Sequence, residues 1–107
     1  MDRFSEQLER DLKMAHSSKL LVNDADRANL NVLLTMLGTI DKDIIDAYYG
    51  LFGTPIMPIE QLALKYRVPQ SAIQEIIEKD LHRIAITPEW QIMLRQLRPA
   101  VIKKVTA

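Results

Sequence analysis

The stretch IEQLALKYRVPQSAIQEII, residues 59–77, predicts two helices joined by a tight turn. Apolar residues recur at helical spacing on both sides of the turn, and Pro69 is placed to open the second helix. Ala63 provides the small residue that two closely crossing helices need, and Val68 fills the turn. Arg67 stands where such turns often have glycine, so we expect a left-handed backbone there, at a cost of about 1 kcal/mol. This pattern is typical of a helix-turn-helix unit.

Helical spacing also dominates the residues before this stretch, where two amphipathic helices are predicted over about 5–21 and 24–37. The inward face of the first is marked by Phe4, Leu8, Leu12 and Ala15. The second has a wide apolar stripe that comprises Ala25, Ala28, Leu30, Val32, Leu33, Leu34, Met36 and Leu37. Asn23 is its expected N-cap. A stripe this wide predicts burial on more than one side, either by the rest of the domain or by another chain.

The remaining helix boundaries predict an all-α domain of five to six helices. A third helix begins at Thr39 or Asp41 and ends at Gly50, and a proline-containing linker, residues 53–58, follows it. The two helices of the opening stretch are expected to run over about 58–66 and 69–84. Thr87-Pro88-Glu89 has the N-cap signature of a last helix, in which Trp90 is a core residue. We predict one domain, 1–107, built from a helical pair (1–36), the helix-turn-helix unit (37–84) and a last helix with a short basic tail (85–107).

The composition predicts a globular protein without disulfides or a membrane span. The chain has 107 residues, of which 48% are hydrophobic and 26% charged, and it contains no cysteine, which excludes thiol catalysis and cysteine zinc sites. No apolar run approaches the roughly 18–20 residues of a transmembrane helix. The charged, amphipathic N-terminus is unlike a signal peptide. We therefore expect a cytoplasmic protein with no membrane partner.

Charge is balanced overall but uneven along the chain. The 14 basic and 14 acidic residues cancel, and the net charge is −3 over residues 1–57, zero over 58–84 and +3 over 85–107. DNA-binding domains usually have a basic surface. The neutral central segment therefore predicts weak non-specific binding to DNA.

A longer segment, residues 37–84, resembles region four of bacterial primary sigma factors. It consists of a helix that ends in the aromatic–glycine pair Tyr49-Gly50, then a linker and the opening stretch, with no gap in register over 48 residues. IEQLALKY is similar to the first helix of the family's helix-turn-helix, and VPQSAIQEIIEKDLHRI to its recognition helix. The resemblance implies binding to the upstream promoter element and to the flap of the RNA polymerase β subunit. Residues 1–36 do not resemble a promoter-melting domain, which favours a small regulator over an initiation factor.

The resemblance also implies which side chains contact DNA. The base-reading positions fall on Gln70, Ser71, Gln74 and Glu75. The family usually has arginine, which contacts guanine, at the first and third of these; glutamine there favours adenine, and Glu75 can accept from cytosine but repels phosphates. Phosphate contacts are expected from Lys65, Arg67, Lys79, His82 and Arg83. Each set also has an alternative interpretation, in which the polar residues form an ordinary polar helix start and the cations form a solvated charged face.

The sequence is therefore compatible with two functions. The first is a DNA-binding transcriptional regulator, with double-stranded DNA as its partner and a homodimer supplying a second recognition helix. The second is an interaction module that binds RNA polymerase or another transcription protein without contacting DNA, which Glu75 and Glu78 favour. Residues 1–36 either brace the domain or dimerise it. His16 and His82 do not have metal-ligand spacing, and no catalytic or cofactor motif is present, so we expect no enzyme activity, metal or cofactor.

Overall fold

The structure, a computed structural model, describes residues 1–16 and 24–95, and every regular element in them is helical. The helices are α1 (Arg3–His16), α2 (Asp24–Leu34), α3 (Thr39–Tyr49), α4 (Ile59–Tyr66), α5 (Gln70–Ala85) and α6, which begins at residue 88 and is described to residue 95. A short 3-10 helix, Thr35–Leu37, connects α2 to α3. The predicted all-α class with five to six helices is confirmed.

α5 is the central helix of the domain. α1, α3, α4 and the 3-10 helix all pack against it. Its buried side consists of Ile73, Ile77, Asp80, Leu81, Ile84 and Ala85. Leu62 and Ala63 of α4 belong to the same core, and Tyr66, Val68 and Ile76 are partly buried against it. The buried stripe of α5 therefore fixes which of its side chains are left for solvent.

The predicted helix ends at Gly50 and Arg67 are confirmed, and both residues have left-handed backbones. Gly50 has a φ of 64°, and its amide donates to the carbonyl of Asp46. A Cβ atom at this position would lie 2.6 Å from Cγ1 of Ile56, so only glycine fits between α3 and the linker. Arg67 has a φ of 56°, and its amide donates to carbonyls of the last turn of α4.

The start of α6 is capped as the sequence predicts. The hydroxyl of Thr87 accepts a hydrogen bond from the amide of Trp90 at 3.2 Å and donates to the carbonyl of Ile84 at 2.7 Å. Trp90 is 1% exposed, which confirms its place in the core. The junction between α5 and α6 is therefore held by Thr87, together with the side-chain amide of Gln91, which donates to the carbonyl of Ala85 at 2.9 Å.

The predicted inward face of α1 is only partly correct. Leu8 and Leu12 are buried, but Phe4 is 48% exposed. Ser5 takes the buried position instead, because its amide and its hydroxyl both donate to the carboxylate of Asp2, which caps the helix. Phe4 is thereby turned outward, under the guanidinium of Arg3. The expected extension of this helix to Leu21 lies outside the described residues.

The α-helix predicted over about 24–37 is three residues shorter, and the domain buries only part of its wide apolar stripe. The α-helix ends at Leu34, where the 3-10 helix begins and the hydroxyl of Thr35 donates to the carbonyl of Val32. Leu30, Leu33, Leu34 and Leu37 are buried, whereas Val32 is 66% and Met36 50% exposed. Ala25 and Ala28 are also exposed. The domain covers only one side of the stripe. The expected N-cap Asn23 lies outside the described residues.

Candidate nucleic-acid interface

The first two turns of α5 present the four side chains assigned to base reading. Gln70, Ser71, Gln74 and Glu75 are all exposed, because the buried stripe begins at Ile73 and faces away from them. Pro69 supplies an extended N-cap residue, with φ −63° and ψ 153°, but no side-chain cap. The structure therefore places these four residues together at one end of the domain.

Two of the five predicted phosphate-binding cations flank the turn that leads into α5. Lys65 and Arg67 are both exposed, and the Lys65 ammonium lies 5.3 Å from the centre of the Tyr66 ring. The left-handed Arg67 ends α4, and only Val68 and Pro69 separate it from α5. Lys79, two turns along α5, is exposed as well. These three cations and the four polar residues form what we call the α5 face.

His82 and Arg83, the other two predicted cations, are engaged with the rest of the domain. The Nδ1 atom of His82 donates to the carboxylate of Asp2 at 2.7 Å, an ion pair when the imidazole is protonated. The guanidinium of Arg83 donates to the carbonyl of Met36 at 3.2 Å. Both side chains are exposed, but each would have to leave its partner to reach a phosphate.

The contact with His82 helps to keep the carboxylate of Asp2 ionised at the start of α1. The amide of Ser5 donates to its carboxylate and, together with His82, lowers the pKa of Asp2 to about 2. The pair links the capping residue of α1 to the last turn of α5, and the two residues are 80 positions apart in the chain. Sequence spacing gave no signal for this contact, since neither residue belongs to an apolar stripe.

The α5 face has no excess of positive charge. Its cations Lys65, Arg67 and Lys79 are matched by three nearby carboxylates in the same two helices: Glu60, Glu75 and Glu78. The amide of Gln74 donates to the carboxylate of Glu78 at 3.1 Å, an exposed i,i+4 contact. Binding to phosphates at this surface therefore depends on placement of the cations more than on the overall field.

A buried carboxyl group on α5 is the feature that the sequence analysis missed. The alternative interpretation of a solvated charged face does not hold for Asp80, which is 1% exposed. Burial raises the pKa of Asp80 to about 7, and the nearby carboxylate of Asp41 adds to the rise, against Arg83 and Lys79. The signal was available, because Asp80 stands three residues after Ile77, within the buried stripe.

An exposed leucine lies beside the turn. Leu64 of α4 is 80% exposed, and with Ala63, Val68 and Pro69 it lines an open groove of about 640 Å³. Glu60, Arg67 and Gln70 provide the polar rim of this groove. An apolar side chain this exposed contributes nothing to the core, so it is available to another molecule.

Comparisons of the chain with protein-family models, with curated proteins and with solved structures gave no match. The resemblance of residues 37–84 to sigma region four therefore stays a prediction from the sequence. None of the helices in the described part of the chain combines the length and hydropathy that crossing a bilayer requires.

Proposed function

We propose that this protein is a DNA-binding transcriptional regulator that inserts the start of α5 into the major groove. The observation that supports this most is the exposed polar start of α5, a helix whose opposite side is packed against α1, α3 and α4. α5 begins after a three-residue turn from the short α4, which is the arrangement that groove-binding helix pairs use. Gln70, Ser71 and Gln74 would contact base edges there, with glutamine favouring adenine.

The cations of the α5 face would fix the protein on the DNA backbone. Lys65 and Arg67 lie beside the turn, and Lys79 lies further along α5. We therefore expect these cations to contact phosphates at separate points along the groove. Three phosphate contacts release few counterions, which predicts weak binding by one copy. A second copy on a neighbouring half-site would raise the affinity through avidity.

The proposal is tested by selecting bound sequences from random DNA duplexes and then titrating the selected site with salt. With only Lys65, Arg67 and Lys79 on phosphates, the plot of log K against log salt should have a slope of roughly −3 per copy, at about −0.9 per contact. A clearly steeper slope would mean that His82 and Arg83 leave their partners and join. No retained DNA at low salt would overturn the proposal.

Gln74 provides the test of base reading. Gln74→Ala should weaken binding to the selected site by roughly 1–3 kcal/mol and leave binding to random DNA unchanged. Asn31→Ala removes an exposed amide of similar size from α2, outside the α5 face, and should change neither. An equal loss on both kinds of DNA would assign Gln74 to the backbone instead of the bases.

A second candidate function is favoured by Leu64. An 80% exposed leucine beside an apolar groove is typical of a surface that binds another protein, and it offers no polar contact to DNA. In this case the same end of the domain would bind RNA polymerase or another transcription protein. Purified polymerase should then bind the wild type in the absence of DNA, and Leu64→Glu should abolish that binding, whereas Gln74→Ala should not affect it.

A further inference from the structure

α2 is apolar on two opposite sides, and the domain uses only one of them. Leu30, Leu33 and Leu34 are buried. On the other side, Val32 is 66% exposed, and the 3-10 helix continues the same line with Met36, which is 50% exposed. Each of these side chains would release a favourable transfer free energy if another surface covered it.

The exposed apolar side chains form one stripe, which we call the outer α2 stripe: Ala25, Ala28, Val32 and Met36. Their spacings of three, four and four residues put them on one helix face, although all four are exposed. A groove of about 440 Å³ continues the stripe onto α6, where Ile92 is 55% exposed. The stripe and the groove together form one continuous and mostly apolar surface, to which Asn29, Thr35 and Glu89 contribute polar groups.

The order of sizes along the stripe makes it complementary to itself. Its first half has two alanines, and its second half has a valine and a methionine. When two copies are related by a two-fold axis that crosses α2 near residue 30, the helices run antiparallel and Ala28 of one copy lies opposite Val32 of the other. Ala28 then packs against Val32, a small side chain against a larger one, and Ala25 lies one position from Met36 of the other copy, as close packing of helices requires.

The charges at the two ends of the stripe agree with the same arrangement. Asp24, at the start of α2, has a fully exposed side chain, and its carboxylate lies 3.7 Å from the guanidinium of Arg27. At the other end, the guanidinium of Arg83 is held on the carbonyl of Met36. In the antiparallel pairing, residue 24 of one copy comes alongside residue 36 of the other, so Asp24 meets Arg83 twice by symmetry.

We propose that the outer α2 stripe is the interface between two copies of this chain, paired antiparallel about a two-fold axis. The pairing needs no DNA, and it would join two α5 faces in one particle. It also explains the width of the apolar pattern in residues 24–37, since one side serves the core and the other the second copy.

Sedimentation equilibrium of the full chain, from low micromolar to near-millimolar concentrations, tests the pairing. The wild type should dimerise, and Val32→Glu should weaken dimerisation by at least about 30-fold, because the carboxylate would be buried without a partner. Asn31→Glu adds the same charge on an exposed part of α2 outside the stripe and should leave the equilibrium unchanged. Circular dichroism verifies that both variants keep the fold.

The ion pair gives a second and independent test. Asp24→Arg and Arg83→Asp should each weaken dimerisation by roughly two- to tenfold, and the double variant should recover most of the loss. A wild type that is monomeric at every concentration overturns the proposal, as does a dimer that Val32→Glu leaves intact. A monomer that still binds a selected DNA site would overturn the pairing alone, whereas a dimer that binds no DNA would overturn only the proposed function.

Discussion

α2 and α5 break the usual distribution of side chains in opposite directions. α2 leaves Val32 and Met36 in solvent, although their type belongs in a core. α5 buries Asp80 at 1% exposure, although a carboxyl group belongs at the surface. The difference follows from position: α5 is surrounded by α1, α3 and α4, whereas no described helix lies over the outer side of α2.

The comparison shows that the neighbours of a helix, more than its own hydropathy, decide which of its faces is buried. Asp80 occupies a position of the buried stripe, and the apolar residues around it are numerous enough to bury it with them. An unfavourable group in such a place shifts its pKa so that it becomes neutral. On α2, the apolar residues that lack a neighbouring helix remain available for a second molecule.

The largest expected effect tests the two sides of α2 against each other. Leu30→Ala should lower the free energy of unfolding by roughly 2–5 kcal/mol, because Leu30 is fully buried and the change leaves a cavity. Val32→Ala, two residues away, should change it by less than about 0.5 kcal/mol. Urea unfolding at a low protein concentration, where copies do not pair, measures both. Similar losses in the two variants would show that α2 is rotated from the orientation described.

The next prediction concerns Asp80, the buried acid of α5, and the change of protein stability with pH. Folded Asp80 holds its proton up to about pH 7, whereas the unfolded chain releases it near the ordinary value of 3.8. The folded state therefore binds more protons between these values, so the contribution of Asp80 to stability is lost as pH rises from about 4 to about 7. Asp80→Asn should remove this loss and, above pH 7, raise the free energy of unfolding on the order of 2 kcal/mol.

The control for this variant is Glu6→Gln, which neutralises an exposed carboxylate on α1. It should keep the fall in stability with pH that the wild type shows. Asp2 acts in a separate window: its lowered pKa makes folding lose stability only as pH falls from about 4 to about 2. If the free energy of unfolding of Asp80→Asn falls with pH in parallel with that of the wild type above pH 4, Asp80 is ionised in the folded protein.

Local signals predicted the boundaries around α3, α4 and α5 and the start of α6, because each is set by a few neighbouring residues, whereas the predicted end of α2 lies three residues too late. Gly50, Arg67 and Thr87 end or cap helices as the sequence indicates. The same holds for the exposure of Gln70 and Gln74, which follows from the buried stripe of α5. Such features need no knowledge of what lies across the core.

Contacts between distant segments could not be predicted in the same way. The bond from His82 to Asp2 and the bond from Arg83 to Met36 join residues that no spacing relates, and they withdraw two of the five expected phosphate contacts. The exposed side of α2 escaped prediction for the same reason. Periodicity shows that a helix has two apolar sides, but only the packed structure shows which of them has a neighbour.

The smallest effect concerns the turn that determines where α5 begins and so what it exposes. Arg67 has a φ of 56°, which costs a residue with a Cβ roughly 1–2 kcal/mol, partly balanced by the greater freedom of glycine in the unfolded chain. Arg67→Gly should therefore raise the free energy of unfolding by about 0.5 kcal/mol, whereas Arg67→Ala keeps the strain and should not raise it.

Both Arg67 variants lose the guanidinium, but only Arg67→Gly relieves the backbone strain. The two variants therefore distinguish the role of Arg67 in the turn from its role as a phosphate contact. If Arg67 contacts a phosphate, both variants should weaken DNA binding alike and reduce the salt slope by about 0.9. Stability and DNA affinity would then change in opposite directions for Arg67→Gly. If DNA binding is instead unchanged in both, the arginine serves only the turn, and the cations that hold DNA are reduced to Lys65 and Lys79, too few for one copy to bind without a second.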